Sequence, residues 1–459
     1  MSKVKPYSDY SNFGQEWLGD LPSHWQIRRT KLLFDLITEP APIGNSEELL
    51  SVYTALGVKP RKDLEARGNK ASSTDNYWRV QQGDIIVNKL LAWMGAVGIS
   101  EYKGVTSPAY DILRPKENVN PYYYNFLFRN PIASREFKRH SRGIMDMRLR
   151  LYFSRFGDIK LPLPPIEEQN KIVEYLYFKL KKIDRFIRKK KQLIKLLNEQ
   201  KEAIIDQSIA KGLNSNAKMK PSGIVWLEEI PYDWKIVKGY SLFNLKTDII
   251  NVDEIKKHNV IHYSIPNVQE FGSGKLEVGN TIDSNKFILE GGELLYSKLN
   301  PRKGTVTISE KHKELSIASS EFIVLIPKEI EILYYFYFLK SFSFRQAISS
   351  QVRSATKSHE RVKPSIVFRS PFLEPPIHVQ QEIANYITNE INKIDNTINT
   401  ILEELLLVEE YKKGLIAETV LGKIDVRNYE VPTLLDDGYE EIEEELDMVA
   451  EDNEEMEVE

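Results

Sequence analysis

The stretch that decides the fold is PPIEEQNKIVEYLYFKLKKIDRFI at residues 164–187, which returns as PPIHVQQEIANYITNEINKIDNTI at residues 375–398. Ten of the 24 positions are identical at a constant offset of 211. A Pro-Pro pair precedes both runs, and proline is tolerated in the first turn of a helix because its missing N–H is not needed there. The chain therefore carries one long helix twice.

The duplication extends well beyond this helix. Three further pairs of segments match at offsets of 209 to 212, namely GQEWLGDLPSHWQI (14–27) with GIVWLEEIPYDWKI (223–236), QQGDIIVNKL (81–90) with EGGELLYSKL (290–299), and PYYYNFLF (121–128) with LYYFYFLK (333–340). Two copies are too few for a solenoid, which needs several stacked repeats. We therefore expect two related globular domains.

Within each repeated helix, apolar residues recur at alternating steps of four and three. The average step of 3.5 is typical of a coiled-coil seam. The predicted seam consists of Leu176, Leu180, Ile183, Ile187, Ile194, Leu197 and Ile204 in the first helix and Ile387, Ile391, Ile394, Ile398, Ile401, Leu405, Val408 and Leu415 in the second. Lys201 and Lys412 coincide as basic residues inside the two seams.

The pattern predicts helices over 166–211 and 377–421, each about 65–70 Å long at 1.5 Å per residue. Seams of matched register favour pairing of the two helices, and the order of domain and helix favours an antiparallel pair. Such a rod would fix the spacing between two sites. The alternative is two amphipathic helices that each pack on their own domain.

Each repeat also contains signals of a mixed domain. GDIIV and GELLY read as buried strands, because a turn glycine and an acid precede a short apolar run. The Tyr/Phe-rich runs read as buried core elements, and the Trp…Pro…Trp openings as segments that fasten the edge of each domain. The inserted region 41–79 shows little counterpart in 250–287, so we expect a repeated framework with divergent inserts.

The fold class that follows is α/β (α+β) globular domains in tandem duplicate, joined by two long antiparallel coiled-coil helices with pseudo-two-fold symmetry. The predicted boundaries are a first domain at 1–163, a first helix at 164–213, a second domain at 214–374, a second helix at 375–424 and an acidic tail at 425–459.

The charge distribution points to a polyanionic partner. Residues 436–459 hold 14 Asp/Glu and no Lys/Arg, so subtraction from the 63 basic and 66 acidic residues leaves 63 against 52, or +11, on residues 1–435. A basic body is typical of nucleic-acid binding. The tail is expected to be disordered, either as a solubility segment or as a mimic of nucleic acid.

Basic residues cluster at matching places in the two repeats, and we predict that they contact DNA, since Arg and Lys neutralise phosphates and Arg reads guanine edges. The candidates are Lys89, Arg139, Arg142, Arg148, Arg150, Lys298, Arg302, Lys303, Arg353, Lys357 and Arg361.

Motifs of catalysis are weak. The chain has no cysteine, no GxxxxGK[ST] phosphate loop and no HExxH, and its seven histidines give no metal spacing. SPAY (107–110) has Ala109 where amino-methyltransferases have a second proline. Asp84 followed by EYK (101–103) loosely fits a metal nuclease, but Asp84 is better explained as a turn acid. We expect no catalytic and no metal residues.

The sequence resembles the specificity (S) subunit of type I restriction–modification systems (HsdS family) over residues 10–425. The likeness rests on EWLGDLPSHW and VWLEEIPYDW, on GDIIVNK, on the two PPI…Q…I helix starts and on KKGLIAETVLGKIDVR (412–427). The second helix start departs from the family pattern with His378 and Val379 where acids are usual.

The resemblance implies that each domain recognises one half of a split target in double-stranded DNA. It implies that the helices fix the gap and dock two modification (methyltransferase) subunits, with restriction (motor and nuclease) subunits in the full complex. S-adenosylmethionine, ATP and Mg would bind those partners and not this chain. A cytoplasmic location without a membrane contact is expected. The alternatives are a protein-binding scaffold with a dimerising coiled coil and a metal-dependent nuclease.

Overall fold

The structure, a computed structural model, describes residues 5–63, 74–144, 148–352 and 360–430. The chain divides into two compact units, with unit 1 formed by residues 1–188 and 405–459 and unit 2 by residues 189–404. The predicted contacts Arg353 and Lys357 and the acidic segment 431–459 lie outside the described residues.

Unit 1 begins with short strands and contains the first half of the first long helix. Its strands are β1 (Tyr10–Asn12), β2 (Asp20–Pro22), β3 (Gln26–Arg29), β4 (Phe34–Ile37), β5 (Leu50–Tyr53), β6 (Gly57–Pro60), β7 (Trp78–Val80), β8 (Ile85–Asn88), β9 (Val97–Ile99), β10 (Gly104–Thr106), β11 (Tyr110–Pro115) and β12 (Lys160–Leu163). Its helices are α1 (Thr30–Leu33), α2 (Pro121–Phe128), α3 (Pro131–His140), α4 (Phe153–Phe156), the first half of α5 (Ile166–Lys211) and the last part of α12 (Ile377–Val420). Single 3₁₀ turns span Arg61–Asp63 and Ala92–Met94.

Unit 2 repeats this order of elements. Its strands are β13 (Met219–Ile224), β14 (Leu227–Pro231), β15 (Lys235–Lys238), β16 (Phe243–Leu245), β17 (Ile249–Ile250), β18 (Asn259–Tyr263), β19 (Lys275–Val278), β20 (Lys286–Leu289), β21 (Leu294–Ser297), β22 (Val306–Ile308), β23 (Leu315–Ser319), β24 (Phe322–Pro327) and β25 (Pro371–Glu374). Its helices are the second half of α5, α6 (Gly239–Leu242), α7 (Val252–Ile255), α8 (Ile265–Phe271), α9 (Ile332–Lys340), α10 (Phe342–Ser349), α11 (Pro364–Arg369) and the first part of α12 (Ile377–Val420), with 3₁₀ turns at Gly279–Thr281 and Pro301–Lys303.

A four-stranded antiparallel sheet is the framework of each unit. Its order is β4-β11-β8-β9 in unit 1 and β16-β24-β21-β22 in unit 2. The central strands β8 and β21 are buried at every residue. The prediction that GDIIV and GELLY form buried strands is therefore confirmed.

The inserts share their topology although their sequences diverge. In unit 2 they form a mixed sheet of order β17-β20-β23-β18-β19. In unit 1 the pairs β7–β10 and β5–β6, together with an antiparallel bridge from Pro40 to Trp78 and a parallel bridge from Leu49 to Val105, reproduce the same neighbours in the same directions. The region 41–79, which shows little counterpart to 250–287 in sequence, therefore has one in its strand pairing. Ladder hydrogen bonds join backbone groups, so side chains can change while the pairing persists.

The Tyr/Phe-rich runs form core helices, as predicted. Tyr123 and Tyr124 on α2, and Tyr334 and Tyr335 on α9, are fully buried. Their hydroxyls keep partners, because buried polar groups are costly without them. Tyr123 Oη donates to the carbonyl of Val420 at 2.8 Å.

The long helices extend over 166–211 and 377–420, as the spacing predicted. In unit 2, Lys201 donates to Asp395 and Lys190 Nζ lies 2.7 Å from Glu404 Oε2, so residue numbers fall on α12 as they rise on α5 and the two halves run antiparallel. In unit 1, Lys412 Nζ lies 2.6 Å from Asp184 Oδ1.

The predicted seam residues are all buried or half-buried, and the predicted pairing of the helices is confirmed within each unit. The seam lysines Lys201 and Lys412 keep only 24% and 27% of their side chains exposed.

Each long helix ends beneath a tryptophan. Gly422 follows α12 with a φ of +64°, and a Cβ there would lie 2.5 Å from Pro22 Cδ and 2.8 Å from the ring of Trp25. In unit 2, Gly212 ends α5 with a φ of +72° beside Trp234. Trp25 and Trp234 are both buried and belong to the cores of their units, and the fastening role of the two openings stays a prediction.

Replacement of Gly422 by alanine should destabilise unit 1 by about 2 to 5 kcal/mol, since the left-handed conformation and the collision with Trp25 add. Gly14→Ala is the matched control, because Gly14 has a φ of +67° and open space where the Cβ would be. The control should cost about 1 to 2 kcal/mol. Calorimetric unfolding of both variants checks this, and equal losses would show that the tryptophan contact is unimportant.

Candidate nucleic-acid interface

The acid before each buried strand balances a basic residue inside the unit. Asp84 is buried and accepts two hydrogen bonds from Arg114, from Nε and Nη2 at 2.9 Å each, and this carboxylate raises the pKa of the Arg114 guanidinium. Glu293 holds the same place in unit 2, 3.6 Å from Lys246 Nζ. Asp84 is therefore a structural turn acid, and the described residues contain no group of carboxylates or histidines arranged to hold a metal ion.

Lys89 emerges from β8 at one corner of unit 1. Its Nζ donates to the carbonyl of Pro108 at 2.8 Å and lies 3.2 Å from Asp111 Oδ1. Burial raises the pKa of the Asp111 carboxyl, and the ammonium group of Lys89 opposes that rise. Much of the lysine charge is thus balanced within the unit, and DNA contact by Lys89 stays a prediction.

Lys298 occupies the equivalent corner of unit 2. Its Nζ donates to the carbonyl of Ser320 at 2.5 Å, and burial lowers the pKa of its amine while Glu321 opposes the shift. The two copies therefore place a half-buried lysine at the end of the same strand.

The predicted arginines lie next to these lysines. The amide of Leu151 donates to the carbonyl of Lys89 at 2.8 Å, and the amide of Val362 donates to that of Lys298 at 2.9 Å. Arg150 and Arg361 directly precede these donors and are exposed. Arg142 exchanges backbone hydrogen bonds with Arg150 at 2.9 and 3.0 Å, and Arg142 and Arg148 are also exposed.

In unit 2, further basic side chains lie on the turn that follows Lys298. Arg302 and Lys303 are exposed on the Pro301–Lys303 turn, and the amide of Asn300 donates to the carbonyl of Glu360 at 2.9 Å. Arg302 Nε lies 3.4 Å from Glu360 Oε2. The turn is therefore fastened to the segment that carries Arg361.

Arg139 has a different setting. It lines a cleft of about 560 Å³ in unit 1 and pairs with Glu136 at 3.3 Å and Glu16 at 3.6 Å. Arg142 lines the same cleft, so the cleft adjoins the segment that carries Arg142 and Arg150.

The equivalent corner of unit 1 holds a turn that the search for basic residues missed. Residues 90–95 follow Lys89 as residues 299–304 follow Lys298, at the offset of 209 that aligns the two strands. The offset of 209 was the signal in the sequence that could have located the turn at residues 90–95. Each unit thus joins a strand end, an exposed turn and an arginine segment into one surface suited to phosphates and base edges.

Comparison with known proteins gives a consistent result. The family model of the type I restriction modification DNA specificity domain matches residues 22–199 and again residues 231–407. The specificity subunit of the type I restriction enzyme MjaVIII from Methanocaldococcus jannaschii is 24% identical over 433 residues, covering 89% of this chain and 95% of that subunit. The putative MjaX specificity subunit of the same organism is 23% identical over 441 residues, covering 91% and 97%.

Solved structures share the fold. A chain from a study of complex assembly and conformational transition of the type I R-M system has a TM-score of 0.65 at 12% identity, covering 88% of this chain and 99% of that chain. The HsdS subunit from Thermoanaerobacter tengcongensis gives 0.52 at 12% identity, covering 88% and 98%. In the part of the chain that the structure describes, no helix has the length and hydrophobicity to cross a membrane.

Substitutions can distinguish the exposed arginine of the unit 1 corner from the lysine that pairs with a buried carboxyl. Arg150→Gln should reduce the salt slope of duplex binding by about 1 and leave thermal stability unchanged, because Arg150 is exposed.

Lys89→Met should lower stability by about 1 to 3 kcal/mol, because it leaves the buried Asp111 carboxyl without its cation. Salt titrations and thermal melts check both; an Arg150→Gln protein that binds like the wild type at every salt concentration would remove Arg150 from the interface.

Proposed function

This chain belongs to the family of type I restriction–modification DNA specificity subunits, and we propose that each of its two units reads one half of a bipartite duplex target. The subunit supplies sequence recognition to the type I complex and is not one of its catalytic subunits. The observation that carries the proposal is the repetition of one corner, in which Lys89 with Arg150 in unit 1 corresponds to Lys298 with Arg361 in unit 2.

Each corner has groups suited to the two tasks of a DNA reader. Exposed arginines beside a strand end can neutralise phosphates and set the register of the protein on the duplex, while a turn that projects beyond them can reach base edges in the major groove. Phosphate contacts would be common to both units, and the turns would give each half-site its sequence.

The paired helices would determine the gap between the half-sites. Their seam is buried in both units, and the pair Lys201–Asp395 of unit 2 recurs as Lys412–Asp184 of unit 1 at the offset of 211. Equivalent readers that contact one face of the duplex need half-sites about 10 base pairs apart, or a multiple of that spacing.

The outer faces of the helices offer equivalent places for two modification subunits. Leu196 in unit 2 and Leu407 in unit 1 are related by the same offset and expose 53% and 67% of their surface. Exposed apolar residues on a helix are suited to a protein partner. In the assembled complex, which would act in the cytoplasm, S-adenosylmethionine would bind the modification subunits, and ATP and Mg would serve the restriction subunits.

A hybrid chain tests the assignment of the readers. Replacement of 41–156 by the matching segment of another family member should change one half of the methylated target and leave the other half and the spacer unchanged. Methylation sequencing of a host that carries the hybrid complex gives the target directly. A change in both halves would contradict the proposal that each unit reads its half independently.

A matched variant tests the spacing. A heptad inserted into both α5 and α12 at their unit boundary should lengthen the accepted spacer and keep both half-sites, because the seam period is preserved. A spacer that stays constant while the half-sites change would contradict the role of the helices.

A further inference from the structure

The turns beyond Lys89 and Lys298 share a 3₁₀ turn and a closing glycine and differ in side-chain chemistry. Both contain a single 3₁₀ turn, Ala92–Met94 or Pro301–Lys303, and both end in a left-handed glycine, Gly95 with a φ of +89° or Gly304 with a φ of +59°. At the offset of 209, Leu91 corresponds to Asn300 and Met94 to Lys303. The tip is apolar in unit 1 and polar or basic in unit 2.

The apolar tip is held in place before any partner arrives. The side chain of buried Asn88 accepts hydrogen bonds from the amides of Leu90 at 3.0 Å and Leu91 at 3.3 Å. The carbonyl of Leu91 accepts from the amides of Met94 at 2.9 Å and Ala96 at 3.1 Å, and the amide of Leu91 also donates to the backbone carbonyl of Asn88 at 3.2 Å. A fixed turn loses little conformational freedom when it binds, so its exposed side chains are suited to a specific contact.

Packing does not account for the exposed apolar groups. Leu91 and Met94 expose 41% and 54% of their surface, and Leu90 beside them is also exposed. Unit 2 forms an equivalent 3₁₀ turn with Lys303 at the place of Met94, so the turn does not require methionine there. At the preceding position the backbones differ, with a φ of −119° at Leu91 and +45° at Asn300. Single exposed leucines are common on protein surfaces, but here three exposed apolar side chains share one turn directly after Lys89. The carbonyl of Lys89 accepts a hydrogen bond from the amide of Leu151, the residue that follows the exposed Arg150.

We propose that Leu91 and Met94 are specificity-determining residues that contact thymine 5-methyl groups in the major groove of the half-site read by unit 1. This inference rests on the proposed function. The thymine methyl is the apolar group that base pairs present in the major groove, and it is recognised by apolar side chains. The arginines beside the turn select duplex DNA as the partner, since they match its phosphates. Lys303 would give unit 2 a phosphate or guanine contact at the equivalent place.

Uracil substitution tests the contact directly. The complex of this chain with its modification subunits is titrated with synthetic duplexes that carry the methylated target, with thymine replaced by uracil in one half-site at a time. Loss of one buried methyl contact should weaken wild-type binding about fourfold, and only in the half-site that the 41–156 hybrid assigns to unit 1.

Two variants and a control connect the effect to the turn. Leu91→Ala combined with Met94→Ala should bind thymine and uracil duplexes equally. Met94→Lys, which copies the residue of unit 2 onto the same backbone, should also lose much of the discrimination and raise the salt slope by about 1. Leu32→Ala, which trims another exposed leucine of unit 1 on α1, should keep the full discrimination.

The outcomes distinguish a failure of the proposed function from a failure of the thymine contact. Absence of sequence-specific duplex binding by the wild-type complex would overturn the proposed function. Specific binding without any loss on uracil substitution in the unit 1 half-site, or a loss that the Leu91→Ala and Met94→Ala combination retains in full, would overturn the thymine contact alone.

Discussion

The structure depends on the burial of one apolar stripe along each long helix. A solitary helix with such a stripe would expose it to water, and most helical stability in proteins comes from packing of the apolar face. Each unit solves this by laying half of α5 against part of α12, so that residues such as Ile205 of unit 2 and Leu415 of unit 1 join the domain cores. The helices are therefore parts of both units and not linkers attached to them.

Charges inside the stripe give this pairing its register. Lys201 is three-quarters buried and meets Asp395, whereas a shift of one heptad would place it against Thr388 or Leu402, neither of which can balance its charge. A polar residue at a core position of a coiled coil specifies register at some cost in stability. The helix ends add a second constraint at Gly212 and Gly422, where a side chain would come into close contact with Trp234 and Trp25.

The sequence predicted local periodicity far better than pairing between strands. The step of 3.5 residues predicted the helices to within one residue, because every turn of a helix repeats the same neighbours. The β-pairing of the inserts was missed, since ladder bonds join backbones that carry unrelated side chains in the two units. Of the candidate site, the sequence located the basic clusters but not the partner of Lys89, because Asp111 is 22 positions away and meets it only through the sheet.

The two copies differ both in their buried ion pairs and in their exposed turns, and the two kinds of difference have different consequences. In the interior, the acid before the central strand has a cationic partner in both units, although the partner comes from different elements. Asp84 pairs with Arg114 on β11 in unit 1, and Glu293 pairs with Lys246 after β16 in unit 2. A buried carboxylate without a partner is costly, so any change there requires compensation. At the turn tips no such balance is required, since a 3₁₀ turn and a left-handed glycine recur with different exposed side chains in the two units. A reader built this way can exchange the chemistry it presents to a base while the framework that positions it stays intact.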